Sequence, residues 1–229
     1  MHSLSRIGFF KDVGDIDLPA FDRRVYWRKY SDGETIVDFE DESSDVYFIL
    51  VGDVRVLIRT ASGKEVILAD MKAGAFFGEM SAIDGVKRSA NVTALTNAEL
   101  CIMPAHVFRE IVFSSHMVCD KVLKLLAARV REGNARLAEL SIFDLRHRLY
   151  AELLRLSHPR SGHTGEKAIT PPPYHHVLAA RIGCRREQVT REFTVMERDG
   201  LIEKTKGALV IAKPLVLEAR LAQALSEDR

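Results

Sequence analysis

The stretch FFGEMSAIDGVKRSANVTAL, residues 76–95, places a Gly-Glu pair and an Arg-Ser pair in a segment that is otherwise typical of strand and core. Phe76 and Phe77 end a predicted strand, and Gly78 then allows the backbone to turn closely. Residues 79–83 can form one short helical turn. Because the first N–H groups of such a turn have no partner within it, they are well placed to bind a phosphate.

The two charged side chains that stand out in this stretch, Glu79 and Arg88, suit different parts of one ligand. Arg88 carries forked donors that match a phosphate better than a lysine would, and Ser89 adds a hydroxyl. Glu79 only accepts hydrogen bonds at neutral pH, so it suits a sugar hydroxyl rather than a phosphate that it would repel. The set predicts a site for a phosphorylated sugar. A buried ion pair between Glu79 and Arg88 that holds the segment together explains the spacing equally well.

Outward from this stretch, residues 24–94 consist of short apolar segments separated by turn residues. Four segments are rich in Val, Ile, Leu, Tyr and Phe and are predicted to be strands: ETIVDF (34–39), DVYFILVG (45–52), DVRVLIR (53–59) and KEVILADM (64–71). The breakers are Ser31-Asp32-Gly33, Gly52-Asp53, Ser62-Gly63 and Gly74. Such even spacing favours an antiparallel barrel or roll, in which Gly52 and Gly63 adopt backbone angles that other residues avoid.

Beyond residue 114 the composition changes from strand-like to helical. No proline and a single glycine occur between Ser115 and Leu140, which predicts one long helix. Apolar and small residues recur along it at alternating steps of four and three, the spacing of a heptad seam: Cys119, Leu123, Leu126, Val130, Gly133, Leu137 and Leu140. Either a second copy of the chain or the helix's own domain can cover such a seam. Residues 141–145 are predicted to be a hinge, followed by a helix from Leu145 to Ser157.

The segment that starts at residue 174 has the order of elements of a winged helix-turn-helix. Tyr174 to Arg181 can form a short helix, which a tight turn over residues 182–184 ends. A second helix is predicted from Arg185 to Arg198. The following LIEKTKGALVIA is predicted to be a β-hairpin that turns near Lys206-Gly207.

The second of these helices presents polar residues on its exposed face: Arg186, Glu187, Thr190, Arg191 and Thr194. Arg186 lies at the N-terminal end, where recognition helices meet base edges. Arginine can donate two hydrogen bonds to O6 and N7 of guanine, and glutamate can accept one from N4 of cytosine. The face is therefore predicted to read double-stranded DNA. A surface salt bridge between Glu187 and Arg191 on a structural helix is the alternative.

Two stretches flank this predicted DNA reader. Residues 158–173, HPRSGHTGEKAITPPP, are dense in Pro and Gly and are predicted to be a loop. The tail from Pro214 onward is predicted to be helical, and the sequence indicates no role for it.

Bulk composition narrows the class of protein. The 229 residues are 47% hydrophobic and 28% charged, as in an ordinary globular protein. Residues 1–113 carry a net charge of −5 and residues 114–229 one of +6, which favours two modules, the second facing an anion. The three cysteines are scattered, so neither a disulfide framework nor a metal site is expected. The sequence has no bilayer-length apolar run and no signal-peptide core, so we expect a cytoplasmic protein without a membrane partner. A cupin-type enzyme would need histidines on its strands, and none lies between His2 and His106.

Three motifs, in order along nearly the whole chain, resemble those of the CRP/FNR transcription regulators, in particular the cyclic AMP receptor protein branch. Residues 30–81 resemble the family's cyclic-nucleotide-binding β-roll, GEMSAIDGVKRSA (78–90) its phosphate-binding cassette, and IGCRREQVTREFTVMERDGLI (182–202) its recognition motif. The resemblance implies an α+β fold with three parts: a jelly-roll-like antiparallel β-roll over residues 1–113, a dimerisation helix and hinge over 114–145, and a winged helix-turn-helix DNA-binding domain over 146–229.

The resemblance also implies roles for individual residues. A cyclic nucleotide would bind with its ribose 2′-hydroxyl on Glu79 and its phosphate on Arg88 and Ser89, beside Gly78 and Met80. The DNA contacts would be Arg186, Glu187 and Arg191, together with Tyr174, Thr190 and Thr194. The regulator would be a non-enzymatic homodimer that the nucleotide gates allosterically. It would bind a palindrome similar to TGTGA-N6-TCACA and contact RNA polymerase.

Two positions depart from the family's pattern where its cyclic AMP regulators place a Thr-Ser pair against the purine. This chain has Gly133 and Asn134 there. Gly133 offers no side-chain hydrogen bond, whereas Asn134 is both donor and acceptor, so cyclic AMP and cyclic GMP are both candidate ligands. A regulator of this family that responds to another effector, or that binds DNA without a ligand, is the alternative. The iron–sulfur branch needs N-terminal cysteines, and none precedes Cys101.

Overall fold

The structure is a computed structural model that describes residues 3–60 and 63–227, for Glu227 the backbone alone. Ser62, which the sequence places in a turn, lies outside the described residues. The chain divides into two compact units, one that ends at Arg129 and one that begins at Val130. Within the described residues, no helix is both long enough and apolar enough to span a membrane.

Eight strands of the first unit form two four-stranded antiparallel sheets. The strands are β1 (Tyr26–Tyr30), β2 (Thr35–Val37), β3 (Val46–Val51), β4 (Asp53–Arg59), β5 (Glu65–Lys72), β6 (Phe76–Phe77), β7 (Asn91–Ala94) and β8 (Ala98–Met103). The strand orders are β1-β8-β3-β6 and β2-β7-β4-β5. The predicted antiparallel roll is therefore confirmed.

The four strands predicted from composition correspond to β2, β3, β4 and β5, whereas the sequence did not indicate β1, β7 and β8. Strand β1 is Tyr-Trp-Arg-Lys-Tyr, in which Arg28 and Lys29 are exposed. It is a strand because all five of its residues pair with β8, from Tyr26 opposite Ile102 onward. Local composition does not reveal such pairing, since a preference for strand depends on the cross-strand neighbours.

The core of this unit consists of apolar side chains from both sheets. Phe48 of β3 and Leu100 of β8 have no exposed surface. Gly52, between β3 and β4, has a φ of +85°, and a Cβ there would lie 2.5 Å from the carbonyl oxygen of Asn97. Gly63 has a φ of +79°. Both glycines therefore adopt the left-handed conformation that the sequence predicted.

Besides short 3-10 helices near its start, the first unit contains α-helices, the last of which continues into the second unit. They are α1 (Glu79–Asp84), α2 (Ala105–Ser114) and α3 (His116–Ile142). The start of α3 is capped, because the Ser115 hydroxyl accepts a hydrogen bond from the backbone of Val118 at 3.1 Å and donates one to Asp15 at 2.5 Å. The hydrogen bond from Ser115, followed by one from the backbone of Met117, lowers the pKa of Asp15. The negative charge of Asp15 therefore lies at the N-terminal end of α3, where the helix dipole stabilises it.

The predicted heptad seam is only partly exposed, because Cys119 and Leu126 are half-buried against the core of the first unit. Only Val118 and Val122 of this helix are buried, both within its first two turns. Leu123, Val130 and Leu137 are each more than 60% exposed. In this chain the later part of the seam is therefore not covered by its own domain.

The predicted hinge is shorter in the structure than in the sequence analysis. Ser141 and Ile142 belong to α3, and Leu145 begins α4 (Leu145–Leu156), so residues 143–144 alone are non-helical. The prediction of a break over residues 141–145 was therefore wrong at both ends. The physical reason is local: the carboxylate of Asp144 accepts a hydrogen bond from the backbone of His147 at 2.9 Å and starts α4 at once.

The second unit combines helices with one small sheet. After α4 come α5 (His175–Ile182), α6 (Arg186–Arg198) and α7 (Pro214–Glu227), and the strands are β9 (His158–Pro159), β10 (Lys167–Ile169), β11 (Ile202–Lys204) and β12 (Leu209–Ile211). The sheet order β11-β12-β10-β9 contains the predicted hairpin, β11 and β12. Residues 158–173 were predicted to be loop alone, but β9 and β10 lie within them, because β10 pairs with the buried strand β12.

The C-terminal tail is helical, as predicted, and it packs on α4. Leu217 has no exposed surface, and Arg220 donates a hydrogen bond to the Tyr150 hydroxyl at 2.8 Å. The tail therefore extends the apolar core of the second unit.

Candidate functional site

The Gly-Glu pair forms the turn that the sequence predicts. Strand β6 ends at Phe77, Gly78 has a φ of +88°, and α1 begins at Glu79. Gly85, with a φ of +72°, ends α1 after six residues. The glycine at each end lets so short a helix enter and leave the roll without backbone strain.

Arg88 is buried beside this turn, with 4% of its surface exposed. Its guanidinium donates to the hydroxyl of Ser43 at 3.1 Å, to the carbonyl of Gly78 at 3.2 Å and to the carbonyl of Asp45 at 2.8 Å. All three acceptors are neutral oxygen atoms. The ring of Tyr47 lies 5.6 Å from the guanidinium carbon. A hydrogen bond from the backbone of Ser43 lowers the pKa of Asp41, and the charge of Arg88 also contributes to this lowering, although no carboxylate among the described residues accepts a hydrogen bond from the guanidinium. A buried cation whose hydrogen bonds all go to neutral groups is costly, so the position favours an anionic ligand.

Glu79 is buried even more completely, with 1% exposed, but its partner is not Arg88. Its Oε1 forms an ion pair with Arg129 of α3, and Arg129 also donates to the carbonyl of Phe76 at 2.8 Å. The alternative of a Glu79–Arg88 ion pair was therefore wrong. The second carboxylate oxygen, Oε2, is buried without a hydrogen-bond partner among the described residues. It is free to accept a bond from a ligand hydroxyl.

The structure thus brings together Gly78, Glu79 and Arg88, with Met80 and Ser89 exposed beside them in sequence. Arg129 is a further residue of this cluster that the sequence analysis missed, since nothing in its position distinguishes it from the other charged residues of the helix. Gly133 and Asn134 are exposed residues of α3 in the second unit. Their role in ligand binding stays a prediction.

A second candidate site lies on the helix pair α5 and α6. Gly183, with a φ of +71°, ends α5, and Val189, Phe193 and Met196 of α6 are buried in the core of the second unit. The predicted DNA-reading residues are all exposed: Tyr174, Arg186, Glu187, Thr190, Arg191 and Thr194. The helix-turn-helix that the sequence predicts is present, with its polar face open to solvent.

The ion pairs of α6 involve other acidic residues than Glu187. Glu192 pairs with Arg146 at 2.8 Å, and Glu197 pairs with Lys204 at 2.7 Å. Within the part of the chain that the structure describes, Glu187 and Arg191 are not paired with each other. The alternative of a surface salt bridge between them was therefore wrong, and both side chains are free to contact bases.

The side chain of Thr190 makes two hydrogen-bond contacts that the sequence did not indicate. Its hydroxyl donates to the carbonyl of Arg186 at 3.1 Å and lies 2.8 Å from Nδ1 of His175. Burial lowers the pKa of His175, and the neighbouring charges of Lys204 and Arg186 lower it further. Tyr174, the residue before α5, stacks on the ring of His176 at 5.5 Å. The N-terminal end of α5 is thus joined to the exposed face of α6.

Among the described residues, no group of three or more His, Cys, Asp or Glu side chains is arranged so that it could hold a metal ion.

Comparisons with known proteins match the two parts of the chain that contain these candidate sites. Residues 27–115 match the model of the cyclic nucleotide-binding domain, and residues 147–220 match that of the Crp-like helix-turn-helix domain. The Cyclic AMP receptor protein of Thermus thermophilus is 29% identical over 211 residues, which are 92% of this chain and 93% of that protein. The cAMP-activated global transcriptional regulator CRP of Salmonella typhimurium is 26% identical over 202 residues, 88% of this chain and 96% of that protein.

Solved structures show the same fold. The c-di-GMP responsive global regulator CLP of Xanthomonas campestris has a TM-score of 0.70 at 20% identity, over 82% of this chain and 94% of its own. The first domain match covers the buried arginine of the roll, and the second covers the open face of α6. Together with the relatives above, these matches show that the chain belongs to the CRP/FNR family of DNA-binding transcription regulators and carries its cyclic nucleotide-binding domain.

Proposed function

We propose that the chain is a homodimeric transcription regulator whose binding to a palindromic DNA site is gated by a cyclic nucleotide. The observation that carries the proposal is the buried guanidinium of Arg88, which is surrounded by neutral hydrogen-bond acceptors. A cyclic phosphate has one negative charge, and at this position it would neutralise the buried cation. The names of the relatives from Thermus thermophilus and Salmonella typhimurium, both of which refer to cyclic AMP, support this choice of ligand.

Each part of the nucleotide has a partner in this proposal. Arg88 and Ser89 bind the cyclic phosphate, and Gly78 and Met80 line the turn. Oε2 of Glu79, which has no hydrogen-bond partner among the described residues, accepts a bond from the ribose 2′-hydroxyl. Gly133 and Asn134 contact the purine base. The amide of Asn134 can bond either adenine or guanine, so the ligand is cyclic AMP, cyclic GMP or both.

Gating rests on the long helix α3. The exposed seam of Leu123, Val130, Leu137 and Leu140 pairs with the same seam of a second copy, and burial of these side chains stabilises the dimer. The nucleotide shifts the protein toward the state for which it has the higher affinity. In that state α3 is helical past Leu140, and the non-helical residues 143–144 orient each DNA reader.

The readers then bind successive major grooves about one helical turn apart. Arg186, Glu187 and Arg191 contact the bases of a half-site similar to TGTGA, while Tyr174, Thr190 and Thr194 support them. Bound to such a palindrome, the dimer acts on transcription through RNA polymerase.

The proposal is tested by titrating the purified protein with cyclic AMP and with cyclic GMP in a calorimeter, and by measuring its affinity for a labelled TGTGA-N6-TCACA duplex with and without each nucleotide. We expect saturable heat with at least one nucleotide and tighter duplex binding in its presence. Heat without any change in duplex affinity would refute the gating. Tight duplex binding with no heat from either nucleotide would favour the second candidate, a family regulator with another effector, which the missing side chain at Gly133 suggests.

Alanine in place of Gly78 is expected to weaken nucleotide binding strongly. A Cβ at this residue would lie 2.5 Å from the carbonyl oxygen of Asp45 and 2.7 Å from Nη1 of Arg88, so it displaces the arginine that binds the phosphate. Strain of about 1–3 kcal/mol corresponds to a loss of roughly 5- to 100-fold in affinity. The control is Gly85→Ala, where φ is +72° but no atom lies within 4 Å of a Cβ. Equal calorimetric affinities in the two variants would contradict the prediction.

Glu187→Ala is expected to relax base preference at one position of the half-site. The loss of one base contact costs about 1–3 kcal/mol of discrimination. Selection of binding sites from a randomised duplex library measures the preference directly. The matched control is Glu197→Ala on the same helix, whose carboxylate pairs with Lys204. We expect the control to keep the wild-type preference, and an unchanged preference in Glu187→Ala would exclude Glu187 from base readout.

A further inference from the structure

The second unit contains a buried carboxylate that neither DNA reading nor nucleotide binding uses. Glu152 of α4 has no exposed surface, yet it lies among three guanidinium groups. Arg136 of α3 donates to its Oε2 at 2.8 Å, and Arg181 of α5 donates to its Oε1 at 3.3 Å. Arg155, one turn further along α4, also donates to Oε2. One anion therefore links three helices.

Two salt bridges join α3 and α4, and each helix provides the acid of one and the base of the other. Arg136 of α3 pairs with Glu152 of α4, and Glu139 of α3 pairs with Arg155 of α4. Each helix contributes one acid and one base three residues apart, so the four groups face each other over a single turn of each helix. We refer to Arg136, Glu139, Glu152 and Arg155 as the α3–α4 clasp.

The two groups on α3 are more exposed than Glu152, so the salt bridges of the clasp can open without stranding a charge. The side chains of Arg136 and Glu139 are each 24% exposed, so water can solvate them when α3 moves away. Glu152 is fully buried, and when α3 moves away it keeps Arg155 of α4 and Arg181 of α5 as partners. Opening the clasp therefore leaves no buried charge unmatched, which is the condition that a permanent buried ion pair does not meet.

Formation of the clasp also depends on how far α3 extends as a helix. Arg136 and Glu139 lie in the last two turns of that helix, which ends at Ile142. Unwinding these turns would separate the two side chains from one another and from α4. The clasp can therefore close only when α3 is helical to its end, directly before the non-helical residues 143–144.

We propose that the α3–α4 clasp is the positioning element that holds the DNA reader in its binding orientation on the last turns of α3, with Arg136 and Glu139 as the releasable half. The proposal rests on the proposed function, since it specifies how a change in α3 reaches α5 and α6. Because Arg181 extends the cluster to α5, the orientation of α3 is passed to the helix that supports the recognition helix.

The test compares Arg136→Gln and Glu139→Gln with the wild type in the full-length protein. We expect each variant to bind the TGTGA-N6-TCACA duplex about tenfold more weakly in saturating cyclic AMP, within the usual range of coupling between sites. Affinity for a scrambled duplex should not change. Backbone amides of residues 137–143 should exchange hydrogen faster, while those of α6 keep their protection.

The control is Asp120→Asn, which removes an exposed ion pair with Lys124 from the same helix. Duplex affinity and exchange rates in Arg136→Gln and Glu139→Gln equal to those of this control would overturn the proposal. Faster exchange throughout the second unit would also overturn it, because the clasp would then support the fold as a whole. If the wild type binds no nucleotide, the gating fails, but the exchange rates and the duplex affinities without ligand still test the clasp.

Discussion

Replacing Arg88 with leucine is expected to abolish detectable binding of cyclic nucleotide. The guanidinium of Arg88 is buried, and a phosphate is the proposed partner of its charge. Removing one member of a buried ion pair costs about 3–5 kcal/mol, which corresponds to a loss of more than roughly 100-fold in affinity. Calorimetric titration with cyclic AMP measures this loss, and we expect the duplex affinity of the variant to show no response to nucleotide.

Two further variants separate loss of the phosphate contact from loss of the fold. Arg88→Lys keeps the charge but not the fork, so it should bind with intermediate affinity. Arg55→Leu removes another arginine of the roll, one that forms an ion pair with Asp70 at 2.7 Å, and it should bind nucleotide normally. The Arg88→Leu protein must also show a cooperative thermal unfolding transition, which establishes that it is folded. The substitution leaves the acceptors at Ser43 and Asp45 without this donor. A folded Arg88→Leu protein with wild-type heats of binding would refute the assignment of the phosphate site.

Replacing Glu152 with glutamine is expected to cause the largest loss of stability of the variants described. The glutamine is nearly isosteric, but it removes the fully buried negative charge with which Arg181, whose side chain is 5% exposed, forms an ion pair. Such a loss destabilises a protein by about 3–5 kcal/mol. Urea unfolding followed by circular dichroism, with attention to a separate transition of the second unit, measures the change in free energy.

The matched control is Glu192→Gln, which neutralises another paired carboxylate of the same unit. Its partner Arg146 is 46% exposed, so the loss should stay below about 1 kcal/mol. A loss in Glu152→Gln no larger than that in Glu192→Gln would show that the arginine cluster does not depend on its central carboxylate.

Much of the secondary structure follows from local sequence. The strands β2 to β5 are rich in β-branched and aromatic residues, and glycines with positive φ separate β3 from β4 and β4 from β5, so composition and breakers agree. The helix-turn-helix is equally local, because Gly183 ends α5 and three apolar residues mark the buried face of α6. The strands β1, β9 and β10 could not be predicted in this way. They owe their conformation to partners distant in the chain, such as β8 for β1 and β12 for β10.

The candidate nucleotide site shows the same division. The type and spacing of Glu79 and Arg88 were enough to predict a site for a phosphorylated sugar. The partner of Glu79 was not predictable, because Arg129 lies 50 residues further along the chain on a helix with many charged residues. The same holds for Glu152, whose three arginines come from three helices.

The sequence by itself determined which chemical groups this protein has and how short segments fold, since helix periodicity, glycine turns and capping act within a few residues. The tertiary structure alone decided which charges meet. Arg88 is left with neutral partners, Glu79 is joined to Arg129, and Glu152 gathers three guanidinium groups. The physical reason is that burial sets the strength of a charge interaction, and burial depends on packing between segments far apart in sequence.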